Sequence, residues 1–291
     1  MRPLILPLAL LATAAAPPPK ALTPTDIVDG APASAWKEIP AGDLMVMTLD
    51  GGGRVVVQLA PRFAPVHVAN IRKLALGGYW KGAAVYRVQD NYVAQWGIGD
   101  EKRALPAGVV ERPPHEYWRR SRGLAITPFP YRDSYAPRAG YVDGWPVALR
   151  ADRTANLTHC YGYVGVARDL HPDTGTGGEL YAIIGHAPRA LDRNIAVVGR
   201  VISGIELLSS LPRGSEKMGF FKEGSVAKPI TSVTMASAMG EGRPRFRYLS
   251  EKSPAFRRAL RLRANRNDDF FRVAAGGIDL CSATVPVKPI P

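Results

Sequence analysis

A single arginine stands among alternating apolar residues in the segment Val85-Tyr86-Arg87-Val88-Gln89-Asp90-Asn91-Tyr92-Val93-Ala94-Gln95-Trp96-Gly97. An arginine side chain does not lose its proton in a protein, so Arg87 cannot act as a general base. It can donate hydrogen bonds and hold a fixed positive charge. Chemistry centred on this residue is therefore limited to hydrogen-bond donation and electrostatic stabilisation.

The residue types that bind metals or form disulfides are sparse in this chain, which has two cysteines and five histidines. The cysteines do not form a Cys-x-x-Cys pair and the histidines show no ligand spacing, so we expect no metal site. In an exported protein Cys160 and Cys281 can form a disulfide, which would stabilise the fold by about 3 to 5 kcal/mol through loop closure. Two buried free thiols are the alternative.

The first residues have the layout of a secretory signal peptide. A basic residue at position 2 is followed by an apolar stretch over residues 4–11 and by small residues over 12–16. This order predicts that residues 1–16 are a signal peptide, removed by a cut close to its last alanines. We therefore expect an exported protein, located in the periplasm.

A buried N-terminal helix is the alternative interpretation of this stretch, but Pro7 and the triple proline at 17–19 oppose it. The apolar stretch is shorter than the roughly 20 residues that a membrane-spanning helix needs. No cysteine follows it to carry a lipid. We therefore expect no stable membrane anchor after cleavage.

The net charge is strongly positive, with 38 Lys and Arg against 25 Asp and Glu and a formal charge of +13. Such a charge suits nucleic acid or an anionic membrane surface. The arginines are nevertheless spread along the chain, and the densest group, residues 257–263, fits the exposed face of one helix. No row of aromatic residues alternates with them, so we expect no nucleic-acid partner.

The elements that must position Arg87 start after a Pro- and Ala-rich linker over residues 17–41. Apolar runs at 44–49 and 54–59, separated by Asp50-Gly51-Gly52-Gly53, predict a β-hairpin. Pro65 then opens a helical pattern that stops at Gly77. Two short strands are expected next, at 84–88 and 92–95.

Residues 101–157 show little periodicity, and we expect an extended loop region with at most one short helix, acting as a lid or as a partner surface. Strands are predicted beyond it, at 160–167, 180–184, 195–201 and 230–236, with a short helix at 203–211. Many short strands and few helices indicate an antiparallel barrel or sandwich. In the extension at 237–291, Ser253 caps a predicted helix that begins at Pro254.

Three segments carry a resemblance to a known family. They are Ala64-Pro65-Val66-His67-Val68-Ala69-Asn70-Ile71 with Gly78-Tyr79-Trp80-Lys81-Gly82, the segment around Arg87, and Gly178-Glu179-Leu180-Tyr181-Ala182-Ile183 with Leu191-Asp192-Arg193-Asn194 and Val197-Val198-Gly199-Arg200-Val201. In this order they resemble the cyclophilin family of peptidyl-prolyl cis-trans isomerases over residues 42–236. The resemblance implies a mainly β fold, a closed antiparallel eight-stranded barrel with two capping helices.

The resemblance also implies an activity: rotation about Xaa-Pro bonds, without metal or other cofactor, in proline-containing peptides and unfolded exported proteins. Arg87 falls at the family's catalytic arginine. It would donate a hydrogen bond to the proline nitrogen, which regains a lone pair when amide resonance breaks. The implied substrate-binding residues, including backbone groups near Ala167 that can pair with a peptide, are Tyr92, Val93, Gln95, Ala167, Glu179, Tyr181, Leu191 and Ile195.

Several positions depart from the family pattern. Glu179 stands where better-known members have glutamine, and its carboxylate can pair with Arg87 and compete for its donors. Ile195 replaces a histidine, and Trp96 interrupts a glycine pair. A slower or differently selective isomerase is therefore expected, and a proline-peptide-binding scaffold without turnover is the alternative function.

Overall fold

The computed structural model of the chain describes residues 22–99, 103–268 and 270–291, so the expected signal peptide lies outside the described residues. Within those ranges the helices are α1 (Pro24–Asp29), α2 (Pro65–Leu76), α3 (Ile205–Ser209) and α4 (Pro254–Ala264). The strands are β1 (Trp36–Glu38), β2 (Leu44–Leu49), β3 (Arg54–Leu59), β4 (Ala84–Val88), β5 (Val93–Gly97), β6 (Arg119–Arg120), β7 (Thr127–Pro128), β8 (Arg138–Val142), β9 (Trp145–Leu149), β10 (Thr154–Leu157), β11 (Tyr163–Val166), β12 (Leu180–Ile183), β13 (Val197–Ser203), β14 (Lys228–Met235), β15 (Phe246–Leu249) and β16 (Val287–Pro289).

Eight strands close into an antiparallel barrel in the order β11-β12-β5-β4-β14-β2-β3-β13, which confirms the predicted fold class. The predicted hairpin is formed by β2 and β3, which are joined through Gly51 and Gly52. Both glycines have φ near +87°, a conformation that side chains with a Cβ rarely adopt. The predicted first helix is α2, which begins at Pro65 and ends before Gly77.

The barrel interior is filled by apolar side chains from the strands, and α2 packs against it. Trp96, whose large ring departs from the family pattern, is fully buried in this core, so the barrel accommodates it inside. Other fully buried members of the same cluster are Met47, Val57, Ile71, Leu74 and Leu180.

The expected loop region at 101–157 was predicted wrongly, because the structure contains a five-stranded sheet there, in the order β6-β10-β9-β8-β7. The middle strands are covered on both faces: Tyr141 packs towards the terminal segments, whereas Val142 and Trp145 pack towards the barrel. A strand buried on both faces does not alternate polar and apolar residues. The sequence pattern that predicts a strand was therefore missing.

The described part of the expected linker, residues 22–41, is also ordered structure. It contains α1, which packs against α4, and β1, which pairs with β15. Together with β16 these two strands form a three-stranded sheet. The helix predicted in the C-terminal extension is α4, and the Ser253 hydroxyl accepts the Phe256 N–H at 3.1 Å as its cap. In the described ranges, no helix is long and apolar enough to cross a membrane.

A disulfide joins Cys160, at the barrel, to Cys281, in the C-terminal extension, and the two Cα atoms are 5.1 Å apart. It is the pairing considered from the sequence. Because 121 residues separate the two cysteines along the chain, the bond ties the tail to the barrel across most of the second half of the molecule.

A buried chain of charged side chains links the inserted sheet region to the loop before β13. The Arg189 guanidinium donates two hydrogen bonds to the Asp133 carboxylate, at 2.8 and 2.9 Å, and a third to Asp192 at 2.7 Å. Asp192 also bonds the imidazole of His159 at 3.0 Å. All four side chains are at most 2% exposed. This chain therefore fixes the loop at 188–195, which carries two of the predicted substrate-binding residues.

Candidate active site

Arg87 lies on β4 beside β5, at an irregularity in the pairing of these strands. Val85 pairs with Trp96 and Arg87 pairs with Gln95, so Tyr86 is an extra residue opposite a single step of β5. Consecutive side chains of a regular strand point to opposite faces. The bulge cancels that alternation, and Tyr86 and Arg87 both contact the side chain of Gln95.

The Arg87 guanidinium is held by three hydrogen bonds. Its Nη1 donates to Gln95 Oε1 at 3.0 Å, its Nη2 to Gln89 Oε1 at 2.5 Å, and its Nε to the carbonyl oxygen of Met218 at 2.8 Å. These bonds use three of the five N–H groups of an arginine. Two N–H groups therefore have no hydrogen-bond acceptor among the described residues, and they can donate to a substrate.

Two aromatic rings lie beside the same guanidinium. The ring centroids of Phe220 and Tyr92 are 5.3 and 5.8 Å from its central carbon, within cation–π range. Partial burial lowers the pKa of Arg87, and the nearby tyrosines oppose that shift. The group remains protonated at physiological pH because arginine starts from a very high pKa.

Met218 and Phe220 reach Arg87 from a loop about 130 residues further along the chain, and the sequence carried no signal for them. The loop depends on Gly219, which has a φ of +81°. A Cβ at this position would lie 2.6 Å from Cα of Gln89, closer than real Cβ contacts. Glycine is therefore required for the loop to approach β4 and place the Met218 carbonyl on the guanidinium.

The pairing of Glu179 with Arg87 that the sequence allowed is absent from the described structure. Glu179 Oε2 accepts the hydroxyl of Tyr86 at 2.7 Å, and Oε1 accepts the backbone N–H groups of Ile98 and Gly99 at 2.9 and 3.2 Å. Burial raises the pKa of Glu179, and these hydrogen bonds reduce the shift without reversing it. The carboxylate therefore leaves the donors of Arg87 available.

The apolar cup expected for a proline ring is partly assembled next to Arg87. Val93 and Tyr181 are nearly fully buried on adjacent strands, and Tyr92, Ile195 and Ala167 pack against the same cluster. We call these five side chains the cup: Val93 and Tyr181 are buried within it, whereas Tyr92, Ile195 and Ala167 are half-buried. Leu191 lies outside this cluster, in the loop that leads to Ile195, where it is half-buried.

Tyr181 rests on a glycine of the neighbouring strand. A Cβ at Gly165 would lie 2.3 Å from the Tyr181 hydroxyl oxygen, so only glycine leaves room for the ring. That hydroxyl is buried without a hydrogen-bond partner in the described part of the chain, and burial raises the pKa of Tyr181. Tyr181 therefore contributes an apolar ring to the cup and one buried hydroxyl that has no partner among the described residues.

A cavity of about 550 Å³ lies next to the cup, with Ala167 common to both. Tyr86, Gln95, Ala167, Glu179 and Phe220 line it, so it shares residues with the surroundings of Arg87. The backbone N–H of Ala167 already donates to the carbonyl of Glu179 at 2.9 Å. That amide is therefore not available to an added peptide strand, which would have to pair with other backbone groups near Ala167.

Comparison with known proteins gives consistent results. The family model described as "Cyclophilin type peptidyl-prolyl cis-trans isomerase/CLD" matches residues 44–238. Proteins named probable peptidyl-prolyl cis-trans isomerase, from Brucella suis biovar 1 (strain 1330) and Brucella abortus (strain 2308), are each 25% identical over 203 residues, 69% of this chain and 84% of theirs. The crystal structure of cyclophilin AquaCyp293 from Hirschia baltica is similar in fold, with a TM-score of 0.69 at 21% identity, covering 93% of this chain and 98% of that one.

Proposed function

The chain belongs to the cyclophilin-type peptidyl-prolyl cis-trans isomerase family, and from this premise we propose that Arg87 is its catalytic residue. An Xaa-Pro bond rotates slowly because amide resonance must be lost, at a cost of roughly 20 kcal/mol. In the twisted state the proline nitrogen regains a lone pair. The observation that carries the proposal is that the held guanidinium keeps two N–H groups available beside an apolar cup.

Arg87 acts by differential binding. The planar amide nitrogen is a poor acceptor, whereas the pyramidal nitrogen of the twisted amide accepts a hydrogen bond well, so the bond forms in the transition state only. Tyr92, Val93, Tyr181 and Ile195 hold the pyrrolidine ring while the preceding carbonyl rotates. We assign Leu191 to the rim of this cup, and Gln95, Ala167 and Glu179 to the neighbouring part of the peptide-binding surface.

The test is NMR exchange spectroscopy on a blocked peptide that contains Ala-Pro. A hydrogen bond from a charged donor contributes about 1.5 to 3 kcal/mol. Arg87→Ala should therefore reduce kcat/KM about 10-fold to 150-fold. Arg258→Ala is the matched control, because this arginine is exposed on the distant helix α4. Full exchange activity in Arg87→Ala would refute the assignment, and peptide binding without enhanced exchange in the unaltered protein would favour the scaffold function.

Export to the periplasm and assistance to unfolded exported proteins are further parts of the proposal. They are supported by the layout of residues 1–16 and by the disulfide between Cys160 and Cys281, since disulfides persist in oxidising compartments. We expect fractionation of bacterial cells that express the full chain to place it in the periplasm, with an N-terminus close to residue 17. A cytoplasmic protein that retains residues 1–16 would contradict export.

A further inference from the structure

A row of four hydrogen-bonded side chains runs away from the catalytic guanidinium. Arg87 donates to Gln95 Oε1, Gln95 Nε2 donates to the Tyr86 hydroxyl, and Tyr86 donates to Glu179 Oε2. We call these four side chains the relay. The relay runs from β4 to β5, returns to β4, and ends at Glu179, the residue immediately before β12.

Each member of the relay has its orientation set by the member after it. An ionised carboxylate accepts hydrogen bonds only, so the Tyr86 hydroxyl must point its hydrogen at Glu179. The lone pairs of that hydroxyl then face Gln95, which turns its amide nitrogen towards Tyr86 and its oxygen towards Arg87. The carboxylate at one end therefore determines that an acceptor is presented to the guanidinium at the other end.

Glu179 is itself rigidly placed. The backbone N–H groups of Ile98 and Gly99 donate to its Oε1, and the Tyr86 hydroxyl donates to its Oε2, so both oxygens act as acceptors. The carboxyl group lies directly over Gly97, where a Cβ would be 1.8 Å from Oε2. A glutamine at position 179 has only one acceptor oxygen, so it could serve either the two backbone groups or Tyr86.

We propose that Glu179 is a positioning residue that holds the Arg87 guanidinium through the relay, an inference that rests on the catalytic role proposed for Arg87. In its absence, the Gln95 amide can turn and present its nitrogen to the guanidinium. Two donors would then face each other, and Arg87 would lose the hydrogen bond that aims its Nη1 edge. The effect on catalysis is indirect, since Glu179 reaches Arg87 through two other side chains.

The relay makes activity depend on the charge of Glu179. When Glu179 takes up a proton on Oε2, it donates to the Tyr86 hydroxyl oxygen instead of accepting from it, and the direction of the relay is lost. Burial raises the pKa of Glu179, which moves this loss towards neutral pH. Tyr86 contacts Glu179 from β4. Both line the cavity of about 550 Å³, and the other charged side chains that line it are Arg103, Arg168, Asp169 and Asp173. Activity should be complete above the raised pKa and should fall as the pH drops through it.

The experiment measures kcat/KM against pH for the full chain, with a blocked Ala-Pro peptide that has no titrating group. We expect Glu179→Gln to lower kcat/KM about 2-fold to 10-fold and to remove the acidic fall in activity. Tyr86→Phe cuts the relay while keeping Glu179, so it should also remove the acidic fall. The double variant should be no worse than the more affected single variant, because both changes break one relay.

The matched control is Glu206→Gln, which makes the same chemical change at an exposed carboxylate on α3 and should leave rate and pH profile unchanged. An acidic fall that persists in both relay variants would overturn the inference, as would rate losses that add in the double variant. If Glu179→Gln does not fold, the isosteric Tyr86→Phe carries the test. Retained activity in Arg87→Ala would instead refute the proposed function, so the two failures are distinguishable.

Discussion

Replacing Arg189 by methionine should destabilise the fold strongly. The change removes the cation of the buried row of charged side chains that joins the inserted sheet region to the loop at 188–195. Methionine keeps much of the volume of the arginine stem. The change leaves Asp133 and Asp192 buried, at 0% and 2% exposed, without the three hydrogen bonds that Arg189 donates. In the variant, Asp192 keeps its hydrogen bond to the His159 ring, whereas Asp133 has no hydrogen bond to His159 in the described part of the chain.

The magnitude follows from burial. Removing one partner of a buried ion pair costs about 3 to 5 kcal/mol, because an uncompensated charge stays in the interior. The protein also contains a matched exposed ion pair. Arg245 donates two hydrogen bonds to the carboxylate of Glu38, at 3.0 and 3.1 Å. These side chains are 45% and 51% exposed, and an exposed pair contributes about 0 to 1 kcal/mol. Arg245→Met is therefore the control.

Urea-induced unfolding, followed by tryptophan fluorescence, measures both variants at pH 7. We expect the free energy of unfolding to fall by about 3 to 5 kcal/mol in Arg189→Met and by less than about 1 kcal/mol in Arg245→Met.

The pH dependence of the free energy of unfolding gives a second test. Burial alone would raise the pKa of Asp192, but the hydrogen bond from His159 and the charge of Arg189 outweigh it and lower that pKa.

A lowered pKa in the folded state means that Asp192 stabilises the fold above its ordinary pKa and that this contribution is lost as the pH falls. Without Arg189 the pKa of Asp192 rises, so the difference in stability between variant and unaltered protein should shrink between pH 7 and pH 4. Equal losses in the two variants at pH 7 would refute the reasoning, and so would a variant at position 189 that is more stable than the unaltered protein.

Two further predictions concern the other tertiary links. Reduction of the Cys160–Cys281 disulfide should lower the free energy of unfolding by about 3 to 5 kcal/mol. The control variant Cys281→Ser should unfold identically with and without reductant. If reductant does not change the free energy of unfolding of the unaltered protein, the prediction is wrong. Glu116 accepts hydrogen bonds from the His67 ring at 2.7 Å and from the Val66 and His67 N–H groups at 2.9 Å. Burial raises the pKa of Glu116, but these hydrogen bonds outweigh burial and the pKa is lowered. Glu116→Gln should therefore lose about 1 to 3 kcal/mol at pH 7 and less at pH 4, as checked by urea unfolding, and an equal loss at both pH values would show that the charge is irrelevant.

Local signals predicted the elements that are mostly self-contained. The hairpin of β2 and β3 and the helix α2 have the expected bounds, because glycine turns, an opening proline and regular apolar spacing act within about ten residues. The cap of α4 by Ser253 is of the same kind. The three family-like segments then indicated the closed barrel.

The inserted sheet and the N-terminal segment could not be predicted in this way. The strands of the insertion are short or buried on both faces, so neither length nor alternation marks them. The strand β1 has only three residues and is defined by pairing with β15, some 200 residues later in the chain. Such strands are stabilised by partners that are distant in sequence, and a local pattern does not contain those partners.

For the candidate active site, the sequence and its family resemblance pointed to Arg87, Gln95 and Tyr92. They did not point to Gln89, Met218 and Phe220, which also contact the guanidinium. The tertiary structure decided how these side chains are connected. The bulge at Tyr86 turns two consecutive residues to one side, Gly219 lets a distant loop reach the guanidinium, and Glu179 binds Tyr86 in place of the arginine. A hydrogen bond between separate strands and loops tolerates a change of only a few tenths of an ångström in its donor–acceptor distance of about 3 Å, and only the packed fold determines that distance.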